Sequence, residues 1–178
     1  EASADFILSK MFEGEKLLRR WRDGESAIDG MLEDYAFLTM GLIDLYESTF
    51  DVSKLEWALR LNQIMIDLFL DKDRGGFYTT QLGKSELIVR IKDAYDGAAL
   101  SGNSVAALNL ARLSKLTSSN KLRSLSQKTI LAFWDKLESN PEYYPHLLCA
   151  LDFLTGQPKE IIVAGERIRL KALLQEIR

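Results

Sequence analysis

Residues 32–49 read LEDYAFLTMGLIDLYEST, and the fold turns on where their apolar side chains fall. Tyr35, Ala36, Leu38, Leu42, Ile43, Leu45 and Tyr46 cover more than one face of a helix, the pattern of a rod buried on several sides. A polar turn follows, and Ser53 and Glu56 have the spacing of a capping box for a second helix over about 54–70. That second helix carries Leu55, Ala58, Leu61, Met65 and Leu68 at steps of three and four. Arg60, Gln63 and Asp67 lie on its other side, so it reads as a partner with one wet face. The arrangement then recurs. Residues 104–116, SVAALNLARLSKL, mix small residues with Val105, Leu108, Leu110 and Leu113, as a close-packed inner helix would, and lead through a polar turn into an amphipathic stretch over about 121–137. Leu55 and Leu122 hold equivalent places, and at the same offset Ile43 meets Leu110, Tyr46 meets Leu113 and Ile66 meets Phe133. Self-similarity of this kind marks repeated helical hairpins.

Working outward, two short segments carry β patterning. Residues 17–22 and 26–28 flank Asp23-Gly24, a hairpin turn pair, and residues 76–80 and 86–91 suggest a second hairpin. Pro145 predicts a helix start that runs to Leu154, since proline is tolerated in a first turn. Residues 159–164 read as a strand and 167–177 as a helix. The expected fold is therefore all-α, a single domain over 1–178, with helical hairpins over 1–157 and a terminal strand–helix segment over 158–178. Inner and outer helices alternating, with hairpins inserted on one side, predict an α/α toroid. A six-hairpin ring needs about 12 helices of ~11–12 residues each, and this chain has room for about half. The open flanks of half a ring predict either a homodimer, the missing half as partner, or closure into a smaller bundle.

Composition narrows the chemistry. The chain has 178 residues, 47% hydrophobic and 28% charged, which excludes a disordered or collagen-like chain. Its net charge of −3 favours neither nucleic acid nor an anionic membrane as partner. One cysteine, Cys149, allows no internal disulfide, and it reads as a core residue beside Leu148 and Phe153. One histidine, His146, leaves no transition-metal cluster, so neither metal nor cofactor is expected. No apolar run reaches a membrane span and no signal peptide is visible, which predicts a cytoplasmic protein. The chain opens at Glu1 rather than methionine, so a longer parent is expected.

The densest polar cluster is residues 89–104, VRIKDAYDGAALSGNS, lying between a strand and an inner helix where toroid loops converge. Arg90, Lys92, Asp93, Asp96, Ser101 and Asn103 could meet the hydroxyls of a small sugar, with Tyr95 as a stacking face. The alternative is architectural: Asp96-Gly97 makes a turn and Ser101 or Asn103 caps the next helix. Glu33, Asp34 and Tyr35 open an inner helix, where acids favour the helix dipole. A sharper reading points Asp34 across the cavity at Asp96. Two carboxylates separated by ~5–9.5 Å are the acid/base pair of glycoside hydrolysis. Trp21, Arg22 and Tyr78 are further rim candidates, while Trp57 and Trp134 read as packing.

Three stretches resemble a known family: MLEDYAFLTMGLIDLYESTFD (31–51), GGFYTT (75–80) and RIKDAYDGAALSGNSVAALNLARL (90–113). They look like the helical region of the YyaL-type family, spermatogenesis-associated proteins with a thioredoxin-like domain. The likeness runs from about Leu17 to Leu116 and more weakly to Gly165. It implies part of an α/α toroid akin to N-acylglucosamine 2-epimerase and six-hairpin glycosidases, and any activity would be glycosidase- or epimerase-like. Glu33, Asp34, Tyr35, Lys92, Asp93, Asp96, Gly97, Ser101, Gly102, Asn103 and Ser104 match recurrent family positions. Ile91 and Leu100 stand where the family tends to have proline, which should loosen the loop. Three functional readings stay open. They are a sugar-binding or sugar-processing domain with Asp34 and Asp96 as acid and base, a noncatalytic helical assembly module, and an inactive remnant kept as a scaffold.

Overall fold

The computed structural model describes residues 1–81, 83 and 89–156. In chain order the elements are α1 (Ala2–Lys10), β1 (Phe12–Glu13), β2 (Lys16–Arg22), β3 (Glu25–Asp29), α2 (Leu32–Thr49), α3 (Val52–Phe69), α4 (Gly102–Leu116), α5 (Asn120–Leu131), α6 (Trp134–Ser139) and α7 (Pro145–Thr155). A 3-10 turn at Pro141–Tyr143 precedes the last helix. The described chain is mostly helical, with one small antiparallel sheet in the order β1-β2-β3. The β2–β3 hairpin turns on Asp23 and Gly24, both at positive φ (53° and 87°), as a primed two-residue turn requires.

Packing follows the two hydrophobic patterns. α2 packs on α3 and on α4, and α4 in turn packs on α5 and on α7. α4 is the most enclosed helix, with Val105, Ala106, Ala107, Leu110, Ala111 and Leu113 all out of water. α2 and α4 run in the same direction. A Cβ on Gly102 would meet Leu32 Cγ at 2.9 Å, so their starts touch. Further along, Asn109 Nδ2 donates to Ala36 O at 2.8 Å, and Arg112 Nη2 donates to Asp44 and Glu47 carboxylates at 2.6 and 2.7 Å. One core surrounds Tyr35, Ile43, Leu61, Met65 and Phe69, and a second surrounds Ala111, Ile130, Phe133 and Leu147.

The structure departs from the sequence expectations in five places. α1 forms where no helix was expected, held by Ala4 in the core and by the Lys54 Nζ–Asp5 Oδ1 ion pair at 2.6 Å. Asp51, not Ser53, caps α3, because its Oδ1 accepts from Ser53 N–H at 3.0 Å and starts the helix two residues earlier. The helix expected over 121–137 breaks at Ala132 and Phe133, which turns the Phe133 ring into the second core and leaves Trp134 exposed rather than packed. Cys149 is exposed, not core: the buried stripe of α7 is Leu147, Ala150 and Leu154, and position 149 falls on the far side. In the second hairpin Phe77 pairs with Leu70 instead, and Thr79 N–H donates to Ile91 O at 2.9 Å. Residues 84–88 of that hairpin, and the strand and helix expected over 159–164 and 167–177, lie outside the described residues.

Two glycines offer a contrast. Gly75 has φ +72°, and an added Cβ would lie 2.7 Å from the Lys128 carbonyl oxygen, whereas Gly41 sits inside α2 with nothing within 4 Å. In urea unfolding, Gly75→Ala is expected to lose about 2 kcal/mol or more, from strain plus a backbone collision. Gly41→Ala is expected to gain about 0.5–1 kcal/mol through helix propensity.

Candidate functional site

The α2 start shows what the acids there do. Asp34, at the third helical position, reaches back so that Oδ2 accepts from Met31 N–H at 2.8 Å, and Arg19 Nε lies 3.4 Å from the same oxygen. A carboxylate here satisfies an orphan N–H and sits at the favourable end of the helix dipole. Tyr35 is fully buried. Its Oη accepts from Leu17 N–H at 2.8 Å and its ring leans on Phe69, so it joins the sheet to the core and is out of reach of any ligand. Burial is also the main cause that pushes the Tyr35 hydroxyl above its ordinary value. Glu33 is exposed.

Across the loop, Asp96 is buried and uses both oxygens on backbone. Oδ1 accepts from Ser101 N–H at 2.9 Å, at the start of α4, while Oδ2 accepts from His146 N–H at 2.9 Å and Leu147 N–H at 3.3 Å, in the first turn of α7. Ser101 caps α4 by accepting from Ser104 N–H at 3.0 Å. Asn103, also fully buried, accepts from Phe77 N–H and donates to the Phe77 and Asp93 carbonyls at 2.7 to 2.9 Å, pairing with backbone as a strand would. Of the expected ligand residues in this loop, Ser101 and Asn103 therefore face inward and hold the chain. Asp93 is exposed. Beside it Tyr95 and Tyr143, 51% and 47% exposed, form a tilted pair 5.7 Å apart.

Arg90 and Lys92 belong to a third grouping, centred on a residue the sequence reading passed over. Asp71 is only 5% exposed, and its carboxylate accepts from Lys92 Nζ at 2.7 Å and from the Asp73 and Arg74 N–H groups at 3.1 and 3.0 Å. Burial by itself raises this carboxyl, but Lys92, the Arg74 N–H, the Tyr78 hydroxyl and the Asp73 N–H outweigh it and hold the group well below the usual carboxylate range. Lys92 Nζ also donates to Gly75 O at 2.9 Å. Arg90 lies 4.0 Å over the Tyr78 ring and donates to Thr80 O at 2.7 Å. The signal that would have found Asp71 is local: Asp71-Lys72-Asp73-Arg74-Gly75-Gly76 is the composition of an Asx turn.

The expectation of one hollow bounded by both aspartates meets a different geometry. Asp34 and Glu33 line a groove of about 650 Å³ walled by α1, β2 and α2, and no residue of 89–104 reaches it. The nine expected site residues thus divide among a helix start, a three-way backbone clasp and an ion-pair cluster. Trp21 packs edge-on against Phe6, and Arg22 pairs with its neighbour Asp23 on the surface. Among the described residues no group of His, Cys, Asp and Glu is placed to hold a metal ion, and no helix is long and apolar enough to cross a membrane.

The chain is similar to spermatogenesis-associated protein 20. Identity is 41% with the protein of Rattus norvegicus and 39% with that of Homo sapiens, in each case over 150 residues, 82% of this chain and 19% of the relative. A third relative, uncharacterized protein B0495.5 of Caenorhabditis elegans, is 26% identical over 156 residues, 83% of this chain and 21% of its own length. No protein-family model matches the chain. The names agree with the resemblance carried by GGFYTT and the 90–113 stretch. The chain spans about a fifth of the length of the curated relatives it matches.

Two outcomes test the clasp. Asp96→Ala strands three N–H groups at two helix starts, and a loss of about 3 kcal/mol or more is expected in denaturant unfolding, against about 1 kcal/mol for Asp34→Ala. His146 gives a pH signature. Its Nε2 is enclosed without a hydrogen-bond partner in the structure, and burial pushes the imidazole below its ordinary 6.5, with Asp96 pulling the other way. The unfolded chain therefore binds a proton that the folded chain resists, so stability falls as pH drops through 6.5 toward the lower folded value. His146→Gln should flatten that slope in urea midpoints between pH 7.5 and about 5, a window well above the carboxylate range in which Asp71 acts.

Proposed function

We propose that this chain is a noncatalytic helical assembly module, a set of inner and outer helix pairs that covers its open flank by joining further helices. The observation that carries the reading is the state of Asp96. A carboxylate that accepts three backbone N–H bonds has no oxygen left over for acid or base work on a substrate. Asp34, Arg90, Lys92, Ser101 and Asn103 are likewise spent on helix starts and loop backbone. The order of packing supports an arc of an α/α toroid: α2 packs on α3 and α4, and α4 packs on α5 and α7. On this reading a second copy covers the flank of the isolated chain, and the function is to extend and complete the helical array.

A second reading, a small-sugar site, is favoured by one feature. The exposed Tyr95–Tyr143 pair beside Asp93 has the aromatic platform and carboxylate that a pyranose ring would meet. It makes no use of an Asp34–Asp96 pair.

The module reading predicts self-association of the isolated chain. In reducing buffer at tens of micromolar, light scattering should give at least twice the 20.2 kDa chain mass. Dilution should lower that mass together with the helical circular dichroism. A monomer that keeps its full helical signal overturns the module reading. Monosaccharide binding by calorimetry that vanishes in Tyr95→Ala would establish the second reading in its place.

A further inference from the structure

We propose that the pocket between the turn over 71–76 and the C-terminal half of α5 binds a small amphipathic anion, a carboxylate or phosphate ester carried on an apolar body. The turn is closed by its own backbone. Asp71 N–H donates to Gly76 O at 2.9 Å and Gly75 N–H donates to Asp71 O at 3.0 Å, while Asp71 Oδ1 holds the Asp73 and Arg74 N–H groups. Gly75, at φ +72°, lets the turn lie directly on α5, since a Cβ there would stand 2.7 Å from the Lys128 carbonyl oxygen. Both walls are thus fixed before any ligand arrives. They bound a pocket of about 360 Å³, within the range of small-molecule sites.

The lining combines two chemistries that call for one partner. Leu70, Leu125, Leu131 and Ala132 supply an apolar side, and Leu131 is left 65% exposed there. Lys72, Arg74 and Lys128 also line the pocket; all three are exposed and, among the described residues, none makes an ion pair or a side-chain hydrogen bond. Asp71 does not offset them, because Lys92 Nζ already stands 2.7 Å from its Oδ2 and backbone N–H groups take its Oδ1. Asp73 is then the one carboxylate of the lining left to face three cations. The chain as a whole carries a net charge of −3, so this surplus is a local arrangement and not a reflection of composition. An anionic head group answers the cations and an apolar body covers the leucines. Neither inorganic phosphate nor a bare hydrocarbon does both, and a cation meets repulsion.

The test titrates the full, isotope-labelled chain with octanoate and with octyl phosphate while the amide resonances are followed. Ligand should move the amides of Arg74, Gly75, Lys128 and Leu131 and saturate with a midpoint of about 1 mM or tighter, as roughly ten well-placed heavy atoms allow. Binding of either upholds the site, and the tighter of the two names its head group. Octylammonium should move none of these amides, and inorganic phosphate should bind about tenfold more weakly or worse, since it leaves the leucines uncovered. Arg74→Glu combined with Lys128→Glu should weaken binding by about a hundredfold, and Leu131→Ser by about fivefold, with the helical signal unchanged. If the double variant loses helical signal, Lys72→Gln with Arg74→Gln replaces it. Shifts centred on Leu38 and Gly41, equal shifts from octylammonium, or full affinity in the charge variant overturn the site. The inference does not rest on the module reading: its failure would leave the self-association of the wild-type chain as it was, and a monomeric chain would still bind the two anions.

Discussion

The carboxylate of Asp96 joins the start of α4 to the start of α7, and the relative placement of those helices depends on it. One oxygen holds the Ser101 N–H and the other holds two N–H groups of α7, so a single side chain orders the loop and fixes both helix starts. Charged acceptors make the stronger hydrogen bonds, and in a buried site a lost partner leaves donors that water cannot reach. Asn103 does the corresponding work two residues later, tying α4 to Phe77 and Asp93. The loop over 89–104 is rich in polar residues because it must meet backbone on three sides.

That explains why the helices were legible in the sequence and the site was not. Helix pairs announce themselves by period: the bounds of α2 match the reading of residues 32–49, and Pro145 marks the start of α7. The Asp23-Gly24 turn was legible because its backbone demands positive φ. A polar side chain carries no such period. Asp, Ser and Asn suit a hydroxyl ligand and a backbone N–H equally well, and only the geometry separates the two. Cys149 and Trp134 were misassigned for a related reason. Trp134 ends an apolar run and Cys149 sits in the middle of one, and in both places a shift of one or two positions moves a side chain from core to water.

The α2–α4 contact has its own polar thread. Asn109 reaches from α4 to the Ala36 carbonyl in the middle of the α2–α4 contact, and Arg112 spans Asp44 and Glu47 farther along. Small residues let the two helices approach, and these bonds fix their relative height.

Lys92 carries a consequence for chemical modification. Its amine holds the buried carboxylate of Asp71 and the Gly75 carbonyl. Acylation would erase that charge and enlarge the head group together, leaving an anion sealed in the interior with no counter-charge. The native packing thus withholds this one amine from acyl donors, and a chain acylated there before folding would be barred from closing its Gly-Gly turn.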